Sequence, residues 1–188
     1  MRGFERVSRE HPHLARWTAL VDVTPDVRTI LGGTDLQIWD IGAAWGLPPH
    51  LLSLQRAARF HLVEPNPDAA AALETWHRHA GDDRDVTVHV VGVSEHGGPQ
   101  PLYYYPDEPT GASLLRPLSS IVATKGEPTS STVETQTLSM LAQQHGARVD
   151  FVKMDIQGAE LSVLRGMGAE RLGALVGCEL EVGIPGAY

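Results

Sequence analysis

Two carboxylates and two glycines set the chemistry open to this chain. The run LQIWDIGAAWG at 36–46 is an apolar stretch that ends in Asp40 and a turn holding Gly42 and Gly46. A second apolar run, FHLVEPNP, ends in Glu64. Glycine after a strand lets the backbone pass close to a ligand, because it lacks a Cβ and tolerates positive φ. A carboxylate closing the next strand can accept both hydroxyls of a ribose 2′,3′-diol. Alone, Glu64 reads as a solvated strand end. Joined to the glycine turn, it reads as part of an adenosine-cofactor site.

The glycine spacing separates the cofactors. Dinucleotide sites use G-x-G-x-x-G so that a pyrophosphate can sit on a helix N-terminus. Here Gly42-Ala43-Ala44-Trp45-Gly46 lacks the middle glycine, and the bulk of Trp45 falls where a diphosphate needs room. S-adenosylmethionine carries no phosphate. Its ammonium and carboxylate need an acceptor and backbone N–H groups, which Asp40 and the loop amides can supply. S-adenosylmethionine is therefore the expected cofactor. An NAD-dependent oxidoreductase, which Glu64 alone would permit, is the alternative.

A third group lies in VKMDIQGAELSVLRGM at 152–167. Lys153 and Asp155 share one side of a strand by its period of two, and Asp155 projects at the strand's C-terminal end. There it is a candidate to orient or deprotonate an acceptor. The plainer reading of Lys153 is an ion pair with Asp155 that organises the turn. Glu160 suits a helix N-terminus, where an acid contributes about 0.3–1 kcal/mol. Asp155, Glu179 and Glu181 are oxygen ligands of the type that suits Mg²⁺ or Ca²⁺. No second carboxylate–amide pair accompanies them, and no metal is expected. Among the nine histidines, His96 follows a strand and is a candidate base. The pairs His11/His13 and His77/His79 read as surface residues, since i and i+2 on a helix point apart. His89 reads as a core or interface residue, and His145 as a helix-end residue. Cys178 sits in an apolar run and reads as core.

These residues need a scaffold of alternating elements. The spacing predicts a helix over 8–20, a strand at 36–41, a helix at 48–58 opened by Pro48 and Pro49, and a strand at 59–63. Asn66 caps the next helix, with Pro67 in its first turn. A strand follows at 86–93. LYYY at 102–105 and VETQT at 133–137 are candidates for an antiparallel pair. The Pro/Gly/Ser-rich stretch 106–131 reads as a lid-like loop. A helix at 138–145, a strand at 149–156, a helix from 158 and a strand at 174–182 complete the chain. The β-α-β order implies right-handed crossovers and a parallel sheet with helices on both faces. Ligands bind such sheets beyond the C-terminal strand ends, where Asp40, Glu64 and Ser94 all fall.

Composition limits the partners. The 188 residues suit one domain. A net charge of −8, with 15 basic against 23 acidic residues, supplies no cluster to hold a nucleic-acid backbone. No long apolar run suggests a membrane span, the N-terminus lacks a signal-peptide core, and a single cysteine fits a reducing cytoplasm.

In order and spacing, DIGAAWG, VEPNP, GVSEHGG with LYYY, GASLL, VETQTLSML, VKMDIQGAELSVLRGM and CELEV resemble the FkbM family of S-adenosylmethionine-dependent methyltransferases over roughly residues 36–182. The resemblance implies an α/β, doubly wound, mostly parallel Rossmann-like sheet of the class I methyltransferase type. It implies one domain over 1–188, with residues 1–33 as an N-terminal helical cap. The implied activity is O-methylation of a hydroxyl on a sugar or natural-product small molecule. A non-catalytic protein of the same fold is the other alternative. The implied cofactor contacts are Asp40, Gly42, Ala43, Gly46, Glu64, Pro65 and Asn66. Val93 and Ser94 would lie near the adenine, and Asp155 and Gln157 near the methyl-transfer centre. GASLL has one serine where the family commonly has two. Relatives usually continue with further strands after CELEV, whereas this sequence stops at Tyr188. A long apolar edge is normally covered in proteins, so either a trimmed chain or a homo-oligomer covering the strand at 174–182 is expected.

Overall fold

The strand LQIWDI is apolar on both of its faces, and it forms the centre of a sheet. The computed structural model describes residues 29, 32–44, 46–52, 54, 57–79 and 85–181, with the backbone alone at 76, 78, 79 and 108–110. Strand β1 (Leu36–Ile41) is flanked by β2 (Ala58–Val63) and β8 (Phe151–Met154); β3 (Asp85–His89) and β9 (Gly177–Leu180) close the two sides. The order is β3-β2-β1-β8-β9 and every pairing is parallel. Strands buried on both faces carry near-continuous apolar sequence, which accounts for the composition of β1 and β2.

Each face carries its own apolar cluster. Leu36, Ile38, Phe60 and Leu62 pack with Leu51 of α1 (Pro49–Leu52) and Leu73 of α2 (Pro67–His79). Trp39, Ile41, Val63, Val152 and Met154 pack with Leu138 and Leu141 of α4 (Leu138–Gln144), and with Val163 and Met167 of α5 (Glu160–Ala174). Asn66 caps α2 as its sequence implies, its Oδ1 accepting from the N–H groups of Asp68 and Ala69 at 3.0 and 3.4 Å.

A second sheet comes from the middle of the chain. It contains β4 (Gly92–Val93), β5 (Gly98–Tyr105), β6 (Glu108–Ser113) and β7 (Thr129–Gln136), in the order β4-β7-β5-β6. β5 runs antiparallel to β6 and β7, so LYYY and VETQT do lie in paired strands. The stretch 106–131 is not an irregular loop: it holds β6, α3 (Ser119–Lys125) and the start of β7. Turn-forming composition and antiparallel hairpins coexist because edge strands tolerate Pro and Gly. The predicted strand over 86–93 is two strands in different sheets, parted at Val90–Val91. The helix expected over 48–58 is only four residues long. Cys178 is exposed rather than core, because β9 stands at the sheet's edge. The helix expected over 8–20, together with His11, His13 and Trp45, lies outside the described residues.

Candidate active site

The site grows from one close approach. Gly42 has φ 82°, and a Cβ there would overlap the carbonyl oxygen of Asp155. No other residue type permits that contact. The N–H groups of Gly42 and Ala43 both donate to Val63 O, at 2.9 and 3.2 Å, while Asp155 N donates to Ile41 O at 3.1 Å. The glycine turn is thereby tied to β2 on one side and to the β8–α5 turn on the other. Gly46, at φ 79°, closes the turn by donating to Ala43 O at 2.7 Å.

Strand register then arranges the carboxylates. Asp40 stands between Leu62 and Lys153, and Lys153 stands opposite Glu179. One pleat further along the same face come Glu64, Gly42, Asp155 and Glu181. Glu64 is 4% exposed. Its Oε1 accepts from Asn66 N at 2.8 Å. Burial nevertheless dominates and pushes its pKa up to about 6, with the nearby Asp40 charge adding to the rise.

Asp40 is wholly buried. Lys153 Nζ lies 3.0 Å from its Oδ1, so the ion pair predicted between Lys153 and Asp155 forms with Asp40 instead. The side chain one pleat inward is the nearer partner across the register. The contact angle is poor for a hydrogen bond, and neither Asp40 oxygen has a hydrogen-bonding partner among the described residues. Burial outweighs the Lys153 charge and lifts the Asp40 pKa to about 6.

The turn after β8 is held from two sides. Glu160, 4% exposed, accepts through Oε1 from the N–H groups of Ile156 and Gly158 at 3.1 and 3.3 Å. The Ser113 hydroxyl, from β6, donates toward the carbonyls of Ile156 and Gln157 at 3.2 and 3.0 Å. Gln157 sits at φ 55° and donates through Nε2 to Asp155 Oδ1 at 2.8 Å. Such a left-handed non-glycine residue is costly, by about 1–3 kcal/mol, and persists only where its surroundings fix it.

These elements line an open cleft. Of the expected site residues, Gly42, Glu64, Pro65, Val93 and Asp155 line it. Asp40, Ala43, Asn66, Ser94 and Gln157 stand outside its lining, next in sequence to residues that form it, and Gly46 stands two residues beyond Ala44. Ser94 is buried and bonded to Thr135 Oγ1 at 2.9 Å and Gln100 Nε2 at 2.8 Å, so its polar atoms serve the second sheet. His96 is not in the lining. Its side chain is 84% exposed and its Nε2 is 3.6 Å from Glu95 Oε1. The second sheet adds Leu102, Ala112 and Ser113 to the lining, and the bend after β6 adds Leu114. Sequence reading gave 106–131 to a loop and so missed how β5 and β6 wall the cleft, although the GASLL run marked the place. Among the described residues no cluster of three or more potential metal ligands occurs.

Residues 40–177 match the family model described as the methyltransferase FkbM domain. The chain belongs to the FkbM methyltransferase family. No curated protein and no solved structure matches it. The FkbM match begins at Asp40 and ends at Gly177, so it spans the glycine turn, Glu64, the second sheet and the turn at Asp155. No helix among the described residues is long and apolar enough to cross a membrane.

Proposed function

We propose that this FkbM methyltransferase uses S-adenosylmethionine to methylate a hydroxyl of a small molecule, with a sugar or natural product as the substrate class. The observation that carries the reading is the buried Glu64 carboxylate in the wall of the cleft, beside the Gly42 turn. One further observation fits the cofactor. Gly42 lines the cleft without a side chain, so backbone faces the ligand space beside Asp155. The strand order, which reverses between β1 and β8, supports a doubly wound, Rossmann-like sheet of the class I type, with its ligand crevice at that reversal.

When bound, the cofactor supplies an electrophilic methyl group on a positively charged sulfur. The chain's own work is then positional. Glu64 accepts hydrogen bonds from a ribose diol. The amides of the 42–46 turn face the amino-acid end. Asp155, steadied by Gln157, faces the acceptor and takes its proton. Holding an acceptor oxygen in line contributes up to about 7–11 kcal/mol of barrier reduction, and a base adds typically about 10²–10⁴-fold. Leu102 and Leu114 in the cleft wall exclude water from the reacting pair. Isothermal titration with S-adenosylhomocysteine and with NAD tests the reading. Binding of the first alone is expected. Binding of NAD alone overturns it.

A further inference from the structure

Ser113 ends β6 and lines the cleft, but its hydroxyl bonds across to the turn that follows β8. The Leu115 N–H donates to Ser113 Oγ at 3.0 Å. A hydroxyl has one hydrogen and two acceptor lone pairs. With a lone pair engaged by Leu115, the hydrogen is shared between Ile156 O at 3.2 Å and Gln157 O at 3.0 Å. Ser113 is buried, so taking the hydroxyl away strands these carbonyls without a ready substitute.

The turn needs such a hold. Gln157 at φ 55° and Gly158 at φ 99° are both left-handed. Glycine takes that conformation freely, and glutamine does not. A glycine at 157 would relieve the backbone but could not reach Asp155. The glutamine does reach it, its Nε2 donating to Asp155 Oδ1 at 2.8 Å. The strained backbone thus places one side chain, and that side chain orients one carboxylate. The Gln157–Gly158 peptide is gripped at both ends. Glu160 accepts from its N–H at 3.3 Å, and Ser113 donates to its carbonyl. Glu160 lies in the helix that the turn opens into. Ser113 comes from the other sheet, 44 residues away in sequence.

We infer that Ser113 is a positioning residue for Asp155: it grips the Gln157–Gly158 peptide, keeps Gln157 left-handed, and so fixes the direction of the Asp155 carboxylate. The inference rests on Asp155 facing the acceptor, as proposed above. It gives the second sheet a part in the chemistry beyond that of a wall. One hydroxyl joins the strand that lines the cleft to the turn that carries the base, so the two keep a fixed relation.

Nuclear magnetic resonance of the ligand-free protein reads this hold and needs no acceptor. The Gln157 side-chain amide is assigned by its loss in Gln157→Glu. In the wild type its two hydrogens should be well separated in shift and slow to exchange, because one donates to Asp155. Ser113→Ala should move them to the positions of a free glutamine amide and speed their exchange about tenfold, the scale of one lost hydrogen bond. Ser113→Thr keeps the hydroxyl and should restore the wild-type pattern. Tyr105→Phe removes a different bond of the second sheet, that to Gly126 O, and should leave the Gln157 amide unmoved, which separates positioning from general loosening. If Ser113→Ala does not fold, Ser113→Cys takes its place with the same expectation, since a thiol is a weak donor. The inference is overturned by a wild-type amide that already exchanges freely, by one unmoved in the folded Ser113 variant, by a Ser113→Thr that behaves as Ser113→Ala does, or by an equal displacement in Tyr105→Phe. S-adenosylhomocysteine titrated into the same wild-type sample keeps the two readings apart. Its failure to bind overturns the cofactor assignment and leaves the hold on Asp155 standing.

Discussion

Gly42 and Asp155 directly follow β1 and β8, strands that flank one another, and they touch so closely that a Cβ on Gly42 would overlap the Asp155 carbonyl oxygen. The glycine therefore does two things at once. It turns the chain at φ 82°, and it lets the β8–α5 turn bring the Asp155 carboxylate into the cleft. Gly42→Ala should cost about 1–3 kcal/mol for the backbone conformation, with a comparable amount for the overlap. Urea unfolding measures the sum. A loss below about 1 kcal/mol would mean that the turn relaxes freely and does not position Asp155.

Much of this was legible because the motifs are local. DIGAAWG and VEPNP each join a strand to its own turn, so period and glycine placement located Gly42, Glu64 and Asp155 in one cleft wall. What was not legible depends on contacts distant in sequence. Lys153 pairs with Asp40 because of inter-strand register, which the local period of two cannot supply. Residues 106–131 look like loop by composition, but β5 gives β6 and β7 a partner. Val86–Val93 reads as one strand, and only the demand for two sheets breaks it. Cys178 looks buried by its neighbours and is exposed because strand order puts β9 at an edge.

Lys153→Met tests the buried ion pair. The change leaves the Asp40 carboxylate uncompensated, and breaking a buried pair from one side costs about 3–5 kcal/mol. The penalty should be present at pH 8 and shrink as pH falls through and below about 6, where burial already brings Asp40 toward its neutral form. Adding Asp40→Asn should recover most of the loss at pH 8. Urea midpoints at pH 8 and pH 5.5 decide the matter, and a penalty independent of pH would assign it to lost packing instead.

Glu64→Gln separates stability from binding. The Glu64 carboxyl is raised from 4.5 to about 6 in the folded protein, so the folded state binds its proton more tightly than the unfolded chain. Its ionisation therefore costs stability above about pH 6. That cost fades as pH falls through the window and is gone below about 4.5. The shift corresponds to roughly 2 kcal/mol. Glutamine can still accept from the Asn66 N–H group. Glu64→Gln should thus unfold at higher urea than wild type at pH 8 and match it near pH 4.5. The same change should weaken S-adenosylhomocysteine binding by about 1.5–3 kcal/mol, read by calorimetry. Unchanged affinity would remove Glu64 from the ribose.

The opposite sign of pH dependence comes from the aromatic stack beneath α4. Trp39, His61 and His89 stack with centroids 4.1 and 5.3 Å from Trp39, and His61 Nδ1 lies 3.1 Å from His89 Nε2. Both imidazoles are buried, and burial is the main cause lowering each from 6.5 to about 4. Here the unfolded chain binds protons more tightly than the folded one. The stability that neutral histidines confer is complete above about pH 6.5 and is lost as pH falls toward about 4. Glu64 and Asp40 gain stability over much of the same range, so in the wild type the two effects oppose each other. Glu64→Gln removes part of the opposition and should make the acid loss steeper between pH 6.5 and 4 than in wild type. Ring chemical shifts provide the direct check, with His61 and His89 remaining neutral at pH 5.5. A midpoint near 6 for either ring would mean that water reaches the stack.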